Sequence, residues 1–474
     1  MKINVPMTTP FDRLALDRAS NRSLHRQLYE RLHAAIADGR LPPGTRLPST
    51  RNLAAQLGVA RGTVDAAYAR LSGEGRLISR PHHGTTVAAG LVPSSAASAA
   101  QPPPTQSTEA GWAPLQLGLP ALDLFPRKQW TRLHARQARR LSPPEMLYPD
   151  PMGLPALREA VVGYLAVSRG ITCTVDEVIV THGFQDALNL VVELVLARGD
   201  AVWTEDPGYG FAQLTLQARG MAITPVPVDA EGLQVDRGRM ASPDARLAVV
   251  TPTHQFPTGV ALSPARRRAL LDWAAEAGAW VLEDDYDCEF HYSGRKPAAL
   301  KAMDRTGRVF YAGSFSKTLL PSLRLGYLVL PPQLAPAART AQQLRHRGAA
   351  VFEQMAVAEF MRQGHFARHL RRMMLAYKAR RAALVAALEA RFGAGIEIVL
   401  QPGGLHVLAR FPGQDDDVAL AGRALTAGLK PAPLSGQALA HDVGRGLLTS
   451  FTNVPEDRAE AVADALFRAI GLGA

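Results

Sequence analysis

Residues 91–111, LVPSSAASAAQPPPTQSTEAG, are built from proline, serine, alanine, threonine and glutamine, with almost no large apolar side chain. Such a stretch cannot bury enough surface to fold, and Pro102, Pro103 and Pro104 in succession make it semi-rigid. It forces the chain into two bodies, residues 1–90 and 112–474, each long enough to bury its own core. No internal repeat is present.

The two bodies differ in charge. The whole chain carries 53 Lys+Arg against 42 Asp+Glu, a formal charge of +11. Residues 1–90 hold 13 of those cations and 6 of the anions, so the first fifth of the chain accounts for +7. A compact basic segment is the footprint of a polyanion binder, set against an otherwise ordinary Arg-rich surface. The two cysteines, Cys173 and Cys288, have no metal-ligand spacing, so neither a disulfide framework nor a zinc site is expected. No apolar h-region follows Met1 and no run of 18 uncharged apolar residues exists. The expectation is therefore a cytoplasmic protein with no membrane partner and no metal.

In the first body, Leu24, Leu28, Leu32 and Ile36 recur at four-residue spacing and predict a helix over 23–37, with Ser23 as its N-cap. A short second helix is expected after Pro48, capped by Ser49, with Leu53, Ala54 and Leu57 apolar. After a tight turn at Gly58-Val59, a third helix over 61–73 turns Val64, Ala67, Tyr68 and Leu71 inward. Helix, short turn, helix is the arrangement that places a recognition helix in the major groove. Residues 77–80 and 85–87 read as two strands around Pro81-His82-His83-Gly84, a wing. Arg46 and Arg51 would neutralise phosphates, Arg61 and Thr63 would reach base edges, and His83-Gly84 would enter the minor groove.

The run LYERLHAAIADGRLPPGTRLPSTRNLAAQLGVARGTVDAAYARLSGEGRLISRPHHGTTV resembles the winged helix-turn-helix of GntR-type bacterial regulators over almost all of residues 23–88. The resemblance implies double-stranded DNA as partner and Arg51, Arg61, Thr63 and Gly84 as contacts. Ala60 replaces the usual Ser or Thr before the arginine, removing a helix cap, and Asp65 adds a negative charge on the DNA-facing side.

From residue 112 onward, strand and helix patterns alternate. Val178-Ile179-Val180, Ala201-Val202-Trp203, Leu247–Val250, Trp280-Val281-Leu282 and Val309-Phe310-Tyr311 are buried-strand runs separated by helical stretches. This rhythm predicts an α/β fold with a mostly parallel sheet covered by helices on both faces. After about Ala335 the pattern turns helical, with strands near 396–411 and 446–452, a smaller α/β subdomain.

Chemistry gathers at the predicted strand ends, where open α/β sheets bind ligands. Lys317, in Tyr311-Ala-Gly-Ser-Phe-Ser-Lys-Thr, can form a Schiff base with an aldehyde cofactor. Arg324 and Ser314 can take a phosphate. Asp284 can hold a pyridinium nitrogen, and Tyr286 can bond a phenolic oxygen. Gly183, Phe184 and Gln185 open a helix whose N–H groups can cradle phosphate, and Tyr209 can stack on a flat ring.

With those residues in that order, 112–474 resembles a fold type I, pyridoxal-phosphate-dependent aminotransferase of class I. The whole chain resembles the MocR/GabR subfamily of GntR regulators. The resemblance implies pyridoxal 5'-phosphate as cofactor, with Lys317 its Schiff-base lysine. It gives the roles above to Asp284, Tyr286, Tyr209, Gly183, Phe184, Gln185, Ser314 and Arg324. It also implies a homodimer, with Tyr148 lent to the partner subunit's phosphate site. Arg445 is the candidate for an effector carboxylate. Where aminotransferases carry Asn-Pro-Thr-Gly, this chain has His254-Gln255-Phe256-Pro257-Thr258-Gly259, so Phe256 stands in the Asn position. The expected function is a regulator that senses an amine, an amino acid or the cofactor through an aldimine at Lys317 and alters DNA binding. The alternative is a working aminotransferase carrying an accessory DNA-binding domain.

Overall fold

The computed structural model describes residues 16–18, 20, 22–80, 84–88, 112–345, 348, 350–414 and 416–471. The chain separates into two compact units, Met1–Thr108 and Glu109–Ala474.

In the first unit, α1 (Leu24–Ala37), α2 (Thr50–Leu57) and α3 (Arg61–Gly73) pack around Leu28, Leu32, Leu53, Val64 and Leu71, each fully buried. Ser49 caps α2, its Oγ accepting the Asn52 N–H at 3.2 Å, and Gly58 ends it in the left-handed region at φ 61°. Ser23 occupies the N-cap position of α1, but its hydroxyl faces His25 Nε2 at 3.5 Å and accepts no helix N–H. Ala60 leaves α3 without a side-chain cap, as its methyl dictates. The antiparallel pair β1 (Leu77–Arg80) and β2 (Gly84–Val87) forms the wing, the second strand starting one residue earlier than the sequence suggests.

In the second unit, α4 (Arg127–Arg140) and α5 (Pro155–Arg169) precede an alternation of strands and helices. Its members are β3 (Val178–Thr181), α6 (Phe184–Val195), β4 (Ala201–Asp206), α7 (Gly210–Ala218), β5 (Ala222–Asp229), β6 (Gly232–Leu233), α8 (Val235–Ala241), β7 (Leu247–Val250), α9 (Pro264–Glu276), β8 (Trp280–Asp285), α10 (Leu300–Met303), β9 (Val309–Ser314) and β10 (Gly326–Val329). They form one eight-stranded sheet of order β3-β10-β9-β8-β7-β4-β5-β6. The run β9-β8-β7-β4-β5 is parallel, and β10 runs antiparallel to both its neighbours. Successive side chains alternate between two cores. Leu247 and Val249 meet Leu188 and Leu216 of α6 and α7, whereas Ala248 and Val250 meet Leu270 and Trp273 of α9. A strand buried on both faces must be apolar throughout, which is why these runs show no polar alternation.

The chain continues through α11 (Ala335–Arg345), α12 (Val351–Arg362) and the long α13 (His365–Phe392) into a smaller lobe. There β11 (Glu397–Val399), β12 (His406–Arg410), α14 (Asp417–Thr426), β13 (Ala432–Pro433), β14 (Leu447–Ser450) and α15 (Ala459–Ile470) build a four-stranded sheet, order β11-β12-β14-β13, on a separate core. Hydrogen bonds between chain segments join the lobes, those at the end of β4 among them. The buried Asp206 carboxylate at the end of β4 accepts the N–H groups of Leu439, Ala440 and His441 at 2.7–2.9 Å, and the Gly208 N–H donates to Gln437 O at 3.0 Å.

All five tryptophans lie beyond residue 111, so their fluorescence reports the second unit alone. Leu190 on α6 is fully buried against the sheet. Leu190→Ala is expected to lower stability by about 2–5 kcal/mol, read as a lower urea midpoint of tryptophan fluorescence. The helical signal of an isolated 1–90 fragment provides the unaffected reference.

Candidate functional site

The carboxyl ends of β8, β9 and β4 open onto a cavity of about 560 Å³, walled by both lobes of the second unit. Strand alternation sorts the acidic run at the end of β8. Glu283 and Asp285 point one way and are matched there. Glu283 accepts from Leu300 N and Lys301 N at 3.0 and 2.9 Å, and Asp285 pairs with Arg169 Nε at 2.7 Å and accepts from Tyr311 Oη at 2.6 Å. Asp284 points the other way, into the cavity, and its carboxyl makes no hydrogen bond to a described residue. Burial pushes it well above the usual carboxylate range. Asp285 and Asp287 push the same way, and Lys317 pulls against them.

Lys317 follows β9 and lines the same cavity. Burial lowers its ammonium below the ordinary lysine value, and Asp284 and Asp287 restrain that shift. Its Nζ donates to Gly118 O at 2.8 Å. The Tyr286 hydroxyl is buried without a hydrogen-bond partner among the described residues, and burial pushes it well above its ordinary value, with Asp287 next in effect.

At the other end of the cavity Gly183, at φ 89°, starts the twelve-residue α6. A Cβ at Gly183 would sit 3.8 Å from the Arg324 guanidinium, whose Nη2 donates to His182 O at 3.0 Å. Ser314 accepts the Ser316 N–H at 3.1 Å and also lines the cavity. Helix N–H groups, a guanidinium and a hydroxyl thus converge there, a donor set suited to a phosphate dianion. Tyr209 meets Phe184 at 6.1 Å and Phe256 at 6.0 Å between ring centroids, forming an aromatic wall. An unmatched hydroxyl, an unbonded carboxyl, an amine and a phosphate cradle around aromatic walls fit the ring, substituents and phosphate of pyridoxal phosphate.

Two groups in this cavity carried no sequence signal, and neither did Glu205 beside it. Leu117 and Gly118 come from the segment after the linker, and Leu405, His406 and Gln437 come from the smaller lobe; all are brought in by tertiary folding. Glu205, at the end of β4, is buried beside Asp284 and accepts from Thr251 N at 3.1 Å, Thr251 Oγ1 and Gln255 Nε2 at 3.2 Å. Gln255 in turn accepts from Thr258 Oγ1 at 2.7 Å and donates to Pro207 O at 2.8 Å, holding Phe256 in the wall.

Two sequence-predicted positions are not brought to this cavity. Arg445 is half-exposed, bonds Asp442 Oδ1 at 3.0 Å and does not line it, because the 442–445 turn points the side chain back along its own loop. Its expected place at an effector carboxylate is therefore corrected to a surface ion pair. Tyr148 is 82 % exposed, beside exposed Met146 and Leu147, and does not line its own chain's cavity.

On the first unit, Arg51 and Arg61 are exposed and Thr63 is half-buried at the start of α3. Arg61 Nε lies 3.4 Å from Asp65 Oδ2, an exposed pair of little strength that leaves the guanidinium available. Gly84, at φ 83°, packs beneath the Arg46 guanidinium, where a Cβ would stand 3.1 Å from Nε. His83 lies outside the described residues.

Residues 24–87 match the family described as bacterial regulatory proteins, gntR family, and residues 121–429 match aminotransferase class I and II. The chain is 35% identical over 466 residues to the probable rhizopine catabolism regulatory protein MocR of Rhizobium meliloti, covering 95% of this chain and 94% of that one. It is 34% identical over 454 residues to the HTH-type transcriptional regulator TauR of Rhodobacter capsulatus, covering 88% and 90%. Among solved structures it is similar to LysN, the alpha-aminoadipate aminotransferase of Thermus thermophilus, complexed with N-(5'-phosphopyridoxyl)-L-leucine. The TM-score is 0.68 at 27% identity, over 76% of this chain and 92% of that one. No helix among the described residues is long and apolar enough to cross a membrane.

Burial pushes Glu205 up to about 7 from an ordinary 4.5, against the hydrogen bonds from Thr251 and Gln255. Between those values the folded chain holds a proton that the unfolded chain has released. Stability therefore falls as pH rises through that window, by up to about 3 kcal/mol. Glu205→Gln is expected to flatten that slope in urea unfolding between about pH 4.5 and 7; a slope equal to the unaltered chain's would refute the raised value.

Proposed function

The chain belongs to the MocR subfamily of GntR-type transcriptional regulators, and on that premise we propose that its second unit uses pyridoxal phosphate to sense an amine, an amino acid or the cofactor itself and so alters how the winged helix-turn-helix holds double-stranded DNA. The observation that carries this reading is one cavity holding four groups: the half-buried Lys317, the unbonded Asp284, the Tyr286 hydroxyl without a partner among the described residues, and the helix terminus beside Arg324.

Pyridoxal phosphate, when bound, supplies an electrophilic carbonyl carbon and a ring that accepts charge. Lys317 offers the amine that anchors it, and the lowered affinity of that amine for a proton makes more of it available as a nucleophile. Asp284 presents its carboxyl to the ring nitrogen, and Tyr286 gives its unused hydroxyl to the phenolic oxygen. The N–H groups at Gly183, Phe184 and Gln185, the Ser314 hydroxyl and the Arg324 guanidinium take the phosphate. Tyr209 covers the ring.

Phe256 offers no hydrogen bond from the position where aminotransferases carry Asn, which favours sensing over a full catalytic cycle. The exposed Tyr148 is assigned to the phosphate site of a partner subunit in a homodimer. Residues 1–90 bind DNA, 91–111 link, and 112–474 sense and dimerise, in the cytoplasm. Arg51, Arg61, Thr63 and the wing at His83-Gly84 are assigned to DNA.

Added pyridoxal phosphate is expected to give the full-length protein a visible absorbance band that Lys317→Ala abolishes, and one member of an amine and amino-acid panel is expected to shift it. Sustained turnover of an amino donor with a keto acid would replace this reading with the aminotransferase one. In gel shifts with a duplex selected from a random-sequence pool, Arg61→Ala is expected to weaken binding by about 1–3 kcal/mol and relax base preference at one position. A loss that is uniform across sequences would instead make Arg61 a phosphate contact.

A further inference from the structure

The segment that follows the linker is tied along the smaller lobe and touches the cavity at one point. Leu115, at φ 67° and fully buried in that lobe's core, accepts the Ser450 N–H at 3.1 Å. Pro114 O accepts from Lys430 N at 2.9 Å. Asn453 Nδ2 donates to Ala113 O at 3.0 Å and to Gln116 O at 3.4 Å, and Thr452 Oγ1 donates to Leu119 O. Ala121 N then donates to the Tyr377 hydroxyl at 2.9 Å. Between these ties Leu117 and Gly118 line the cavity, and Gly118 O accepts the Lys317 Nζ proton at 2.8 Å. Gly118 sits at φ +79°, and a Cβ there would stand 3.0 Å from Nζ, so glycine is what allows the strap to come this close.

We propose that residues 112–121 are the readout element of the cavity: the Gly118 carbonyl positions the Lys317 nitrogen, and losing that nitrogen to a ligand shifts the strap and, through it, the linker at 91–111. The inference rests on the reading that this cavity senses a ligand on behalf of the DNA-binding unit. A ligand that takes Nζ leaves a half-buried carbonyl without its donor, a state the strap relieves by moving. Two strap positions of different ligand affinity are what coupling between distant sites requires. The strap is covalently continuous with the linker, so no surface contact between the two units is needed to carry the change. Asn453 and Thr452 do not line the cavity, which separates holding the strap from holding the ligand.

Hydrogen exchange on the full-length protein, with and without added pyridoxal phosphate, is the first test. A change in protection at 112–121 is expected; unchanged exchange there overturns the proposal, whatever the DNA does. The second test uses the selected duplex. The unaltered chain is expected to change its DNA affinity on adding pyridoxal phosphate or the active panel compound, within the usual coupling range of about 5- to 150-fold. The double variant Asn453→Ala, Thr452→Val is expected to keep its visible-band affinity for pyridoxal phosphate within about twofold and to lose most of that DNA response. A double variant that binds the cofactor and responds like the unaltered chain sinks the strap as readout. An unaltered chain with no DNA response to any compound sinks the sensing reading itself, a failure told apart by its appearing before any substitution. If the double variant does not fold, the exchange result on the unaltered chain stands alone and still decides.

Discussion

Arg169 and Asp285 pair at 2.7 Å with both side chains 1% exposed, and the geometry of the cavity depends on that contact. Four acidic residues, Glu283, Asp284, Asp285 and Asp287, crowd the end of one strand, where their mutual repulsion would otherwise drive the loop outward. The pair neutralises Asp285 on the far side of the sheet, and Leu300 N and Lys301 N engage Glu283 there too. Removing one partner from a buried pair costs about 3–5 kcal/mol, because the other charge stays behind in a dry site. With its neighbours matched on the opposite face, Asp284 can be left unmatched on the cavity face. An unmatched buried carboxyl is costly in isolation and is tolerated here because the surrounding strands over-determine its position.

The loop opposite solves a related problem differently. Glu205 reaches across to Thr251 and Gln255, and Gln255 bonds back to Pro207 O and to Thr258. Gln255 bonds the Thr258 N–H and Pro207 O and so holds the backbone of that loop, which delivers Phe256 to the cavity. Phe256 also meets His406 at 5.8 Å and Tyr286 at 6.4 Å between ring centroids, joining the aromatic wall to the smaller lobe. Phe256 therefore contributes shape to the cavity rather than a hydrogen bond.

The first unit was legible because its signals are local. Four-residue spacing, the Ser49 cap and the Gly58 stop each act within one turn, and α2 and α3 begin where those signals place them. Ser23 was misleading for the same reason: a cap residue can be read in sequence, whereas its hydroxyl's choice of His25 cannot. In the second unit the strand runs and the strand-end residues Asp284, Tyr286, Lys317 and Arg324 were legible, since strand ends converge by topology. Strand β10 was not read at all: its run is four residues long and begins with glycine, and its antiparallel direction is set by its neighbours. Nor were Gly118, Glu205 or the true direction of Arg445. Each depends on a partner more than twenty residues away or on the path of a short turn.

Asp206, with its three backbone donors from 439–441, is one of the ties between lobes that own separate hydrophobic cores. The cavity wall is divided the same way, with Lys317 and Asp284 on one lobe and Leu405, His406 and Gln437 on the other. Its volume is thus set by two lobes rather than one, and the backbone donors of 439–441, far in sequence from Lys317, help to fix the space a ligand would find there.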